Sequence, residues 1–126
     1  MNVLISIKPK YVKKIISGEK KYEYRKKIFK KDVEKVYIYS SSPEKKIIGY
    51  FEYNGYKKGS PDEIWAITKE TAGIKENEFK RYFNNKFVAY AITIKKCVVY
   101  KKPIDPYLEN SDFRAPQSFM YIQGWV

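Results

Sequence analysis

The sequence contains no histidine and a single cysteine, Cys97. These scarcities exclude His-based catalytic triads and the zinc sites built from cysteine and histidine. One cysteine cannot form a disulfide within the chain, which is typical of a protein of the reducing cytosol. No apolar run approaches the roughly 20 residues that a membrane-spanning helix needs, and the N-terminus is too short and polar for a signal peptide. We therefore expect a cytoplasmic protein with no metal, no other cofactor and no membrane partner.

Positive charge and tyrosine, in contrast, are abundant. Lysine and arginine total 26 against 14 acidic residues, a net charge of +12, and there are 13 tyrosines. A basic, tyrosine-rich surface fits a polyanion, because cations meet phosphates and rings stack on bases. The alternative is compositional, since a lysine-rich proteome raises the charge of every chain. We expect nucleic acid, and RNA in particular, as the partner.

Apolar periodicity and turn residues predict an α+β fold in one domain over residues 1–126. A helix should run from Pro9 to a C-terminal cap at Gly18, and another should begin at Ser60 in a capping box. A third helix should cover residues 76–82, and residues 101–116 should be irregular. The strand predictions cover residues 3–7, 22–25, 36–39, 47–53 and 86–100, with a bulge near Lys95–Lys96 and a further element after Pro116 that ends in Trp125. About six strands with two to three short capping helices indicate a small mixed β-barrel.

Aromatic residues dominate the predicted core. We expect Trp65, Phe79, Phe83 and Phe87 to be buried instead of serving as stacking surfaces, because aromatic side chains dominate protein cores. Gly49, inside a strand pattern, predicts a bulge or a close backbone approach. Cys97 lies in an apolar strand pattern and is expected to be a buried, inert thiol.

One stretch, Gly18 to Arg25, concentrates charge between the first helix and the next strand. Lys20, Glu23 and Arg25 place two cations and a carboxylate within six positions. In an extended chain Glu23 and Arg25 share one face. A carboxylate beside a guanidinium forms a planar donor–acceptor surface, suited to a phosphate or a base edge. The alternative is a solvated, salt-bridged strand edge, which contributes little.

The same stretch carries the pattern G-x-K-x-x-E-x-R, and with it the sequence resembles the ASCH domain family, a small β-barrel related to PUA domains. Residues 39–43 before a strand with Gly49, and the closing residues 116–119, add to the resemblance. It implies a cleft lined by the signature and by loops from later strands, and a role in RNA binding, RNA modification or translation. Gly18, Lys20, Glu23, Arg25 and Ser41 are the binding residues that it implies.

Roles within that cleft follow from side-chain chemistry. Arg25 is expected to hold a phosphate or a base edge. Glu23 is expected to orient Arg25 or to accept from a base amine, and Lys20 to supply positive charge. We also expect the Glu23 carboxylate to favour the charged form of the Lys20 ammonium.

Two enzymatic activities of ASCH proteins are implied as alternatives. A metal-independent ribonuclease would use a tyrosine, two adjacent lysines and a serine, for which Tyr39, Lys45, Lys46 and Ser118 are the candidates. An N4-acetylcytidine amidohydrolase, whose substrate would be a modified nucleoside, would use a lysine, a threonine three positions later and a separate glutamate. Lys20 matches that lysine and Glu52 is a candidate glutamate, but the threonine position holds Glu23. A third alternative is an interaction module whose aromatic surface and residues 101–116 bind protein.

Overall fold

Six strands form one curled, barrel-like sheet in the computed structural model, which describes residues 1–123. The strands are β1 (Asn2–Ile7), β2 (Tyr22–Arg25), β3 (Lys35–Ser40), β4 (Lys46–Gly59), β5 (Ala89–Ile104) and β6 (Phe119–Ile122). Their order across the sheet is β2-β5-β4-β3-β1-β6. Only the β1–β3 pair is parallel, and the other described pairs are antiparallel. This is the predicted mixed, barrel-like α+β architecture.

Four short α-helices and one 3-10 turn accompany the sheet in the described part of the chain. They are α1 (Pro9–Ser17), α2 (Pro61–Thr68), the 3-10 turn (Lys69–Thr71), α3 (Glu76–Tyr82) and α4 (Pro106–Glu109). Two helix caps predicted from the sequence are confirmed. Gly18 ends α1 with φ of 86°, a left-handed conformation that glycine adopts without strain. Ser60 and Glu63 form the reciprocal capping box of α2. Among residues 1–123, no helix combines the length and the apolar character that a membrane span requires.

The core lies on both faces of the sheet. Val12 and Ile15 of α1 pack against the inner face, whose centre includes Phe51 of β4. Phe79 and Phe83, around α3, pack with Tyr24 of β2 in a second cluster. Burial there is almost complete, which confirms the core prediction for these two phenylalanines.

Phe87 is a wrong core prediction. Its side chain is 90% exposed, because it lies in the short connection between α3 and β5 and no element covers it. Trp65 is partly buried and packs against the second cluster. The sequence correctly predicted that aromatic residues contribute to the core. Whether a given aromatic side chain is covered depends on the tertiary structure.

The β4–β5 pair is longer than its apolar pattern indicates. The strand predicted to end at Tyr53 continues to Gly59, because register shifts absorb Asn54 and Gly55 within the ladder. The predicted bulge near Lys95–Lys96 is confirmed, with Lys96 at φ of 50°. Gly49 also behaves as predicted, since a Cβ there would overlap the Val98 carbonyl oxygen.

The stretch predicted to be irregular, residues 101–116, is partly regular. β5 continues to Ile104, and Asp105 then caps α4 by accepting from the Tyr107 backbone N–H at 3.0 Å. β6 follows Ser118, whereas Trp125, the predicted end of that element, lies outside the described residues. Cys97 is half-buried against the core, and this burial raises the pKa of its thiol.

Candidate functional site

A cleft of about 710 Å³ opens beside the end of β2. Five stretches of chain line it: residues 6–11, 20–25, 39–45, 74–82 and 107–118. The Gly18-to-Arg25 stretch forms its floor, since Lys20, Glu23 and Arg25 are all less than one tenth exposed. A volume of this size is ample for one nucleotide.

Most of the residues selected from the sequence meet in this cleft. Seven of the ten line it: Lys20, Glu23, Arg25, Tyr39, Ser41, Lys45 and Ser118. Gly18 does not, because it is the C-terminal cap of α1. Lys46 does not either, because its Nζ points to Asp105 Oδ2 at 3.6 Å. Lys45 precedes β4 in a left-handed conformation, with φ of 54°, so the alternation of side chains along the strand begins only at Lys46.

Arg25 is the most heavily bonded side chain of the floor. Its Nε and Nη2 donate to Glu23 Oε2 at 3.0 and 2.6 Å. Nη2 also donates to the Ser6 carbonyl at 2.7 Å. Nη1 donates to Ser118 Oγ at 3.0 Å and to the Ser118 carbonyl at 3.4 Å. A guanidinium has five N–H groups, and every one of them therefore has an acceptor within the protein.

This network ties three distant parts of the chain together. Arg25 lies on β2, Ser6 on β1 and Ser118 directly before β6. The Ser6 backbone N–H also donates to the Ser118 carbonyl at 2.9 Å, and the Ser6 hydroxyl donates to the Pro116 carbonyl at 2.7 Å. Arg25 thus acts in this structure as a buried strut of the cleft, with no N–H left for a ligand.

Lys20 and Glu23 form the polar floor that Arg25 supports. The Lys20 ammonium donates to the Ala72 carbonyl at 2.8 Å and lies 3.8 Å from Glu23 Oε1, too far for a hydrogen bond. Oε1 accepts no hydrogen bond from any residue in the described part of the chain. The floor therefore presents a carboxylate oxygen that is ion-paired with Lys20 but accepts no hydrogen bond from residues 1–123.

Burial lowers the pKa of the Lys20 ammonium, and Glu23 only partly opposes that shift. The expectation that Glu23 would favour the charged form is confirmed for the Glu23 contribution, which burial outweighs. Desolvation is the larger effect because Lys20 is 3% exposed. Gly73 adds to this confinement, since a Cβ at Gly73 would lie 2.6 Å from Lys20 Cγ.

Tyr39 and Tyr107 meet in the lining of the cleft. The two hydroxyl oxygens are 3.2 Å apart. Burial, followed by the hydrogen bond to Tyr107, raises the pKa of Tyr39 well above its ordinary value. Tyr39 is therefore a neutral phenol at neutral pH, and its hydroxyl lies against Tyr107 of α4, a helix that the sequence did not predict.

Several residues that line the cleft were not among the candidates selected from the sequence. Tyr11 donates to Glu78 Oε2 at 2.8 Å, and Lys10 donates to the same oxygen at 3.0 Å. These two bonds, Lys10 first, hold the pKa of Glu78 at about 2. Arg81 and Tyr82 complete this wall. Helical periodicity places Glu78, Arg81 and Tyr82 on one face of α3, but only the fold shows that this face meets the cleft.

The rim carries cations that have no partner. Lys8, Lys45 and Arg81 are exposed, line the cleft and form no ion pair or hydrogen bond through their side chains with residues 1–123. Glu52, the candidate glutamate of an amidohydrolase, does not line the cleft and lies 4.0 Å from Lys96. Within residues 1–123 no group of three or more Cys, Asp or Glu side chains is arranged to hold a metal ion.

Comparison with known proteins shows the family of the chain. The ASCH domain model matches residues 5–98, and the chain belongs to the ASCH domain family. A curated relative, the ASCH domain-containing ribonuclease of Zymomonas mobilis, is 26% identical over 95% of this chain and 83% of its own length. The large ribosomal subunit protein uL22 of Ureaplasma parvum is 28% identical over 96% of this chain. The chain spans only 39% of that ribosomal protein.

A solved structure shows the same fold. The crystal structure of ASCH from Zymomonas mobilis has a TM-score of 0.88 and 25% identity, and the match covers 97% of this chain and 87% of that one. The fold is thus PUA-like, as the resemblance implied.

Proposed function

We propose that the protein binds single-stranded RNA in the cleft, with an unstacked base at the floor and backbone phosphates at the rim. The main supporting observation is that negative charge lies at the floor of the cleft and positive charge lies at its rim. A carboxylate oxygen that accepts no hydrogen bond from residues 1–123 lies at the floor, and three cations without an ion pair among those residues lie at the rim.

The floor suits a base better than a phosphate. A phosphate there would approach the Glu23 carboxylate, whereas a base amino or imino N–H can donate to Glu23 Oε1. The adjacent Lys20 ammonium can donate to a ring nitrogen or carbonyl of the same base. Tyr11, Tyr24 and Tyr82 line the walls, where a flat ring can contact a base.

The rim suits the phosphates. Lys8, Lys45 and Arg81 project from three different stretches of chain around the opening. Bases in a duplex are paired and stacked, so only a single strand or a loop can insert one without an unpairing cost. The name of the Zymomonas mobilis relative, a ribonuclease, agrees with an RNA ligand.

The test is binding of short single-stranded and duplex RNA across a salt series. Lys45→Gln/Arg81→Gln should make the dependence of log affinity on log salt shallower by about 1.4 for a single strand, since each lost phosphate contact removes about 0.7. Lys101→Gln/Lys102→Gln removes the same charge from β5 outside the cleft and is the matched control. Equal slopes in the two double variants, or tighter binding of duplex, would contradict the proposal.

RNA cleavage in the same cleft is a second candidate function. It is favoured by Tyr39, Lys45 and Ser118 lining one cleft with Lys20, whose ammonium has a lowered pKa. In this scheme the 2′-oxygen attacks phosphorus and the bond from phosphorus to the 5′-oxygen breaks. In its amine form, which burial favours, Lys20 would accept the proton of the 2′-hydroxyl. Tyr39 would donate a proton to the leaving oxygen, and Lys45 would stabilise the phosphorane charge.

Cleavage is tested with end-labelled RNA in the presence and absence of a chelator. Chelator-resistant cleavage should fall at least 100-fold in Tyr39→Phe and Lys45→Ala, by loss of a general acid and of electrostatic stabilisation. Lys46→Ala should lose much less, because the Lys46 ammonium faces Asp105. Intact RNA after long incubation with wild-type protein would leave binding as the function of the cleft.

A further inference from the structure

A lysine-rich segment leaves the cleft directly after β2. We call residues 26–31 the basic link. Its first residue, Lys26, places its Nζ 4.4 Å from the centroid of the Tyr82 ring. Tyr82 lines the cleft and is 37% exposed. The link is therefore continuous with the cleft wall.

The backbone of the basic link is anchored to the sheet. Phe29 is 7% exposed and packs edge-on against Phe119 of β6, with ring centroids 4.8 Å apart. The Lys30 backbone N–H donates to the Tyr121 hydroxyl at 2.7 Å. Lys31 Nζ lies 4.8 Å from the centre of the same ring. These contacts make the link a fixed ridge that runs from the cleft towards β6.

The lysines of this ridge form no ion pair within residues 1–123. They are Lys26, Lys27, Lys30 and Lys31, and all of them are exposed. The basic link itself contains no acidic residue. Lysines elsewhere in the protein are also exposed, but these four follow one another from the mouth of the cleft along an ordered backbone.

We propose that the basic link continues the RNA-binding track and holds the phosphates of nucleotides adjacent to the one in the cleft. The ligand is then a single strand of several nucleotides and not a free nucleoside. This inference rests on the proposed function, because it takes one nucleotide of the strand to be in the cleft.

The size of the effect follows from counterion release. Each phosphate contact on a single strand contributes about 0.7 to the salt slope. Lys27, Lys30 and Lys31 together should contribute about 2, which corresponds to about 100-fold in affinity at 0.1 M salt relative to 1 M. Lys26 is left unchanged in the test because it packs on the cleft wall.

The experiment compares two triple variants with wild type on two probes. Lys27→Gln/Lys30→Gln/Lys31→Gln removes the ridge charge, and Lys95→Gln/Lys101→Gln/Lys102→Gln removes the same charge from β5. The probes are a mixed-sequence eight-nucleotide single-stranded RNA and a dinucleotide, checked for intactness after each titration. Urea denaturation confirms that both triple variants are folded.

The expected result is a slope lower by about 2 for the ridge variant on the eight-nucleotide probe. The β5 variant should stay close to wild type, and the dinucleotide should discriminate poorly between the two variants. Equal slopes for the two triple variants on the longer probe, with wild type binding both probes, would overturn the inference. The proposal that RNA binds in the cleft would still stand. Failure of wild type to bind either probe would instead refute the proposed function and, with it, the inference.

Discussion

Replacement of Arg25 separates the two roles that this residue can have. If Arg25 were a ligand-binding cation, Arg25→Ala would weaken RNA binding and leave stability unchanged. The structure predicts instead that Arg25→Ala mainly lowers the stability of the fold. All five N–H groups of Arg25 are bonded inside the protein, and both side chains of the Arg25–Glu23 pair are 9% exposed.

The magnitude follows from the cost of leaving a buried charge without its partner. Removing one member of a buried ion pair destabilises a protein by about 3–5 kcal/mol. Glu23 keeps Lys20 at 3.8 Å, so we expect the lower end, about 3 kcal/mol. With a urea m-value of about 1.5 kcal/mol per M, the unfolding midpoint should fall by about 2 M. Arg25→Lys should lose most of this too, because one ammonium cannot reach Glu23, Ser6 and Ser118 together.

Arg81 offers the matched control for urea denaturation monitored by circular dichroism. It is an exposed arginine on the rim without an ion pair among residues 1–123. Arg81→Ala should stay within about 0.5 kcal/mol of wild type while losing RNA affinity. A midpoint for Arg25→Ala within about 0.3 M of wild type, together with weakened RNA binding, would refute the assignment of Arg25 as a strut.

Two further predictions concern the packing of the floor and the titration of the wall. Gly73→Ala should destabilise by about 3 kcal/mol, since φ is +64° and the new Cβ would meet Lys20. Gly55→Ala, at φ of +84° with open space around it, should cost only about 1 kcal/mol in the same thermal or urea assay; equal losses would contradict a close fit of Gly73 against Lys20. The pKa of Glu78 is about 2, below its value of 4.5 in an unfolded chain, so Glu78 contributes stability above pH 4.5 that is lost as pH falls towards 2. Lys10→Ala should raise the pKa of Glu78, measured by carboxyl NMR titration, and an unchanged value would contradict the assigned cause.

Local signals predicted much of the fold. The capping box at Ser60, the terminating Gly18 and the close approach at Gly49 all operate between near neighbours or through one backbone conformation. The extension of β4 past Asn54 was not predictable in the same way, because a bulge pairs residues that local propensity assigns to a turn. Phe87 differs from Phe79 only in what covers it, which no local pattern encodes.

Candidate residues for the site were predictable, whereas their roles were not. Lys20, Glu23 and Arg25 are close in sequence, so an extended chain brings them near one another. Their individual roles depend on hydrogen bonds to Ser6, Ala72 and Ser118. Only strand pairing and loop packing bring these three residues close to them. For this reason the sequence predicts Arg25 to be a ligand-binding cation, whereas in the structure all of its N–H groups are bonded within the protein.

By itself the sequence determined the positions of the main helices and strands, the excess of positive charge and the short signature at the floor of the cleft. These are properties of composition and of contacts between near neighbours. The tertiary structure decided which cations remain free. It buried Lys20 deeply enough to lower its pKa, turned Lys46 towards Asp105, and placed Lys45 and Arg81 on one rim. Burial and the assignment of hydrogen-bond partners depend on residues far apart in the chain, and folding alone brings them together.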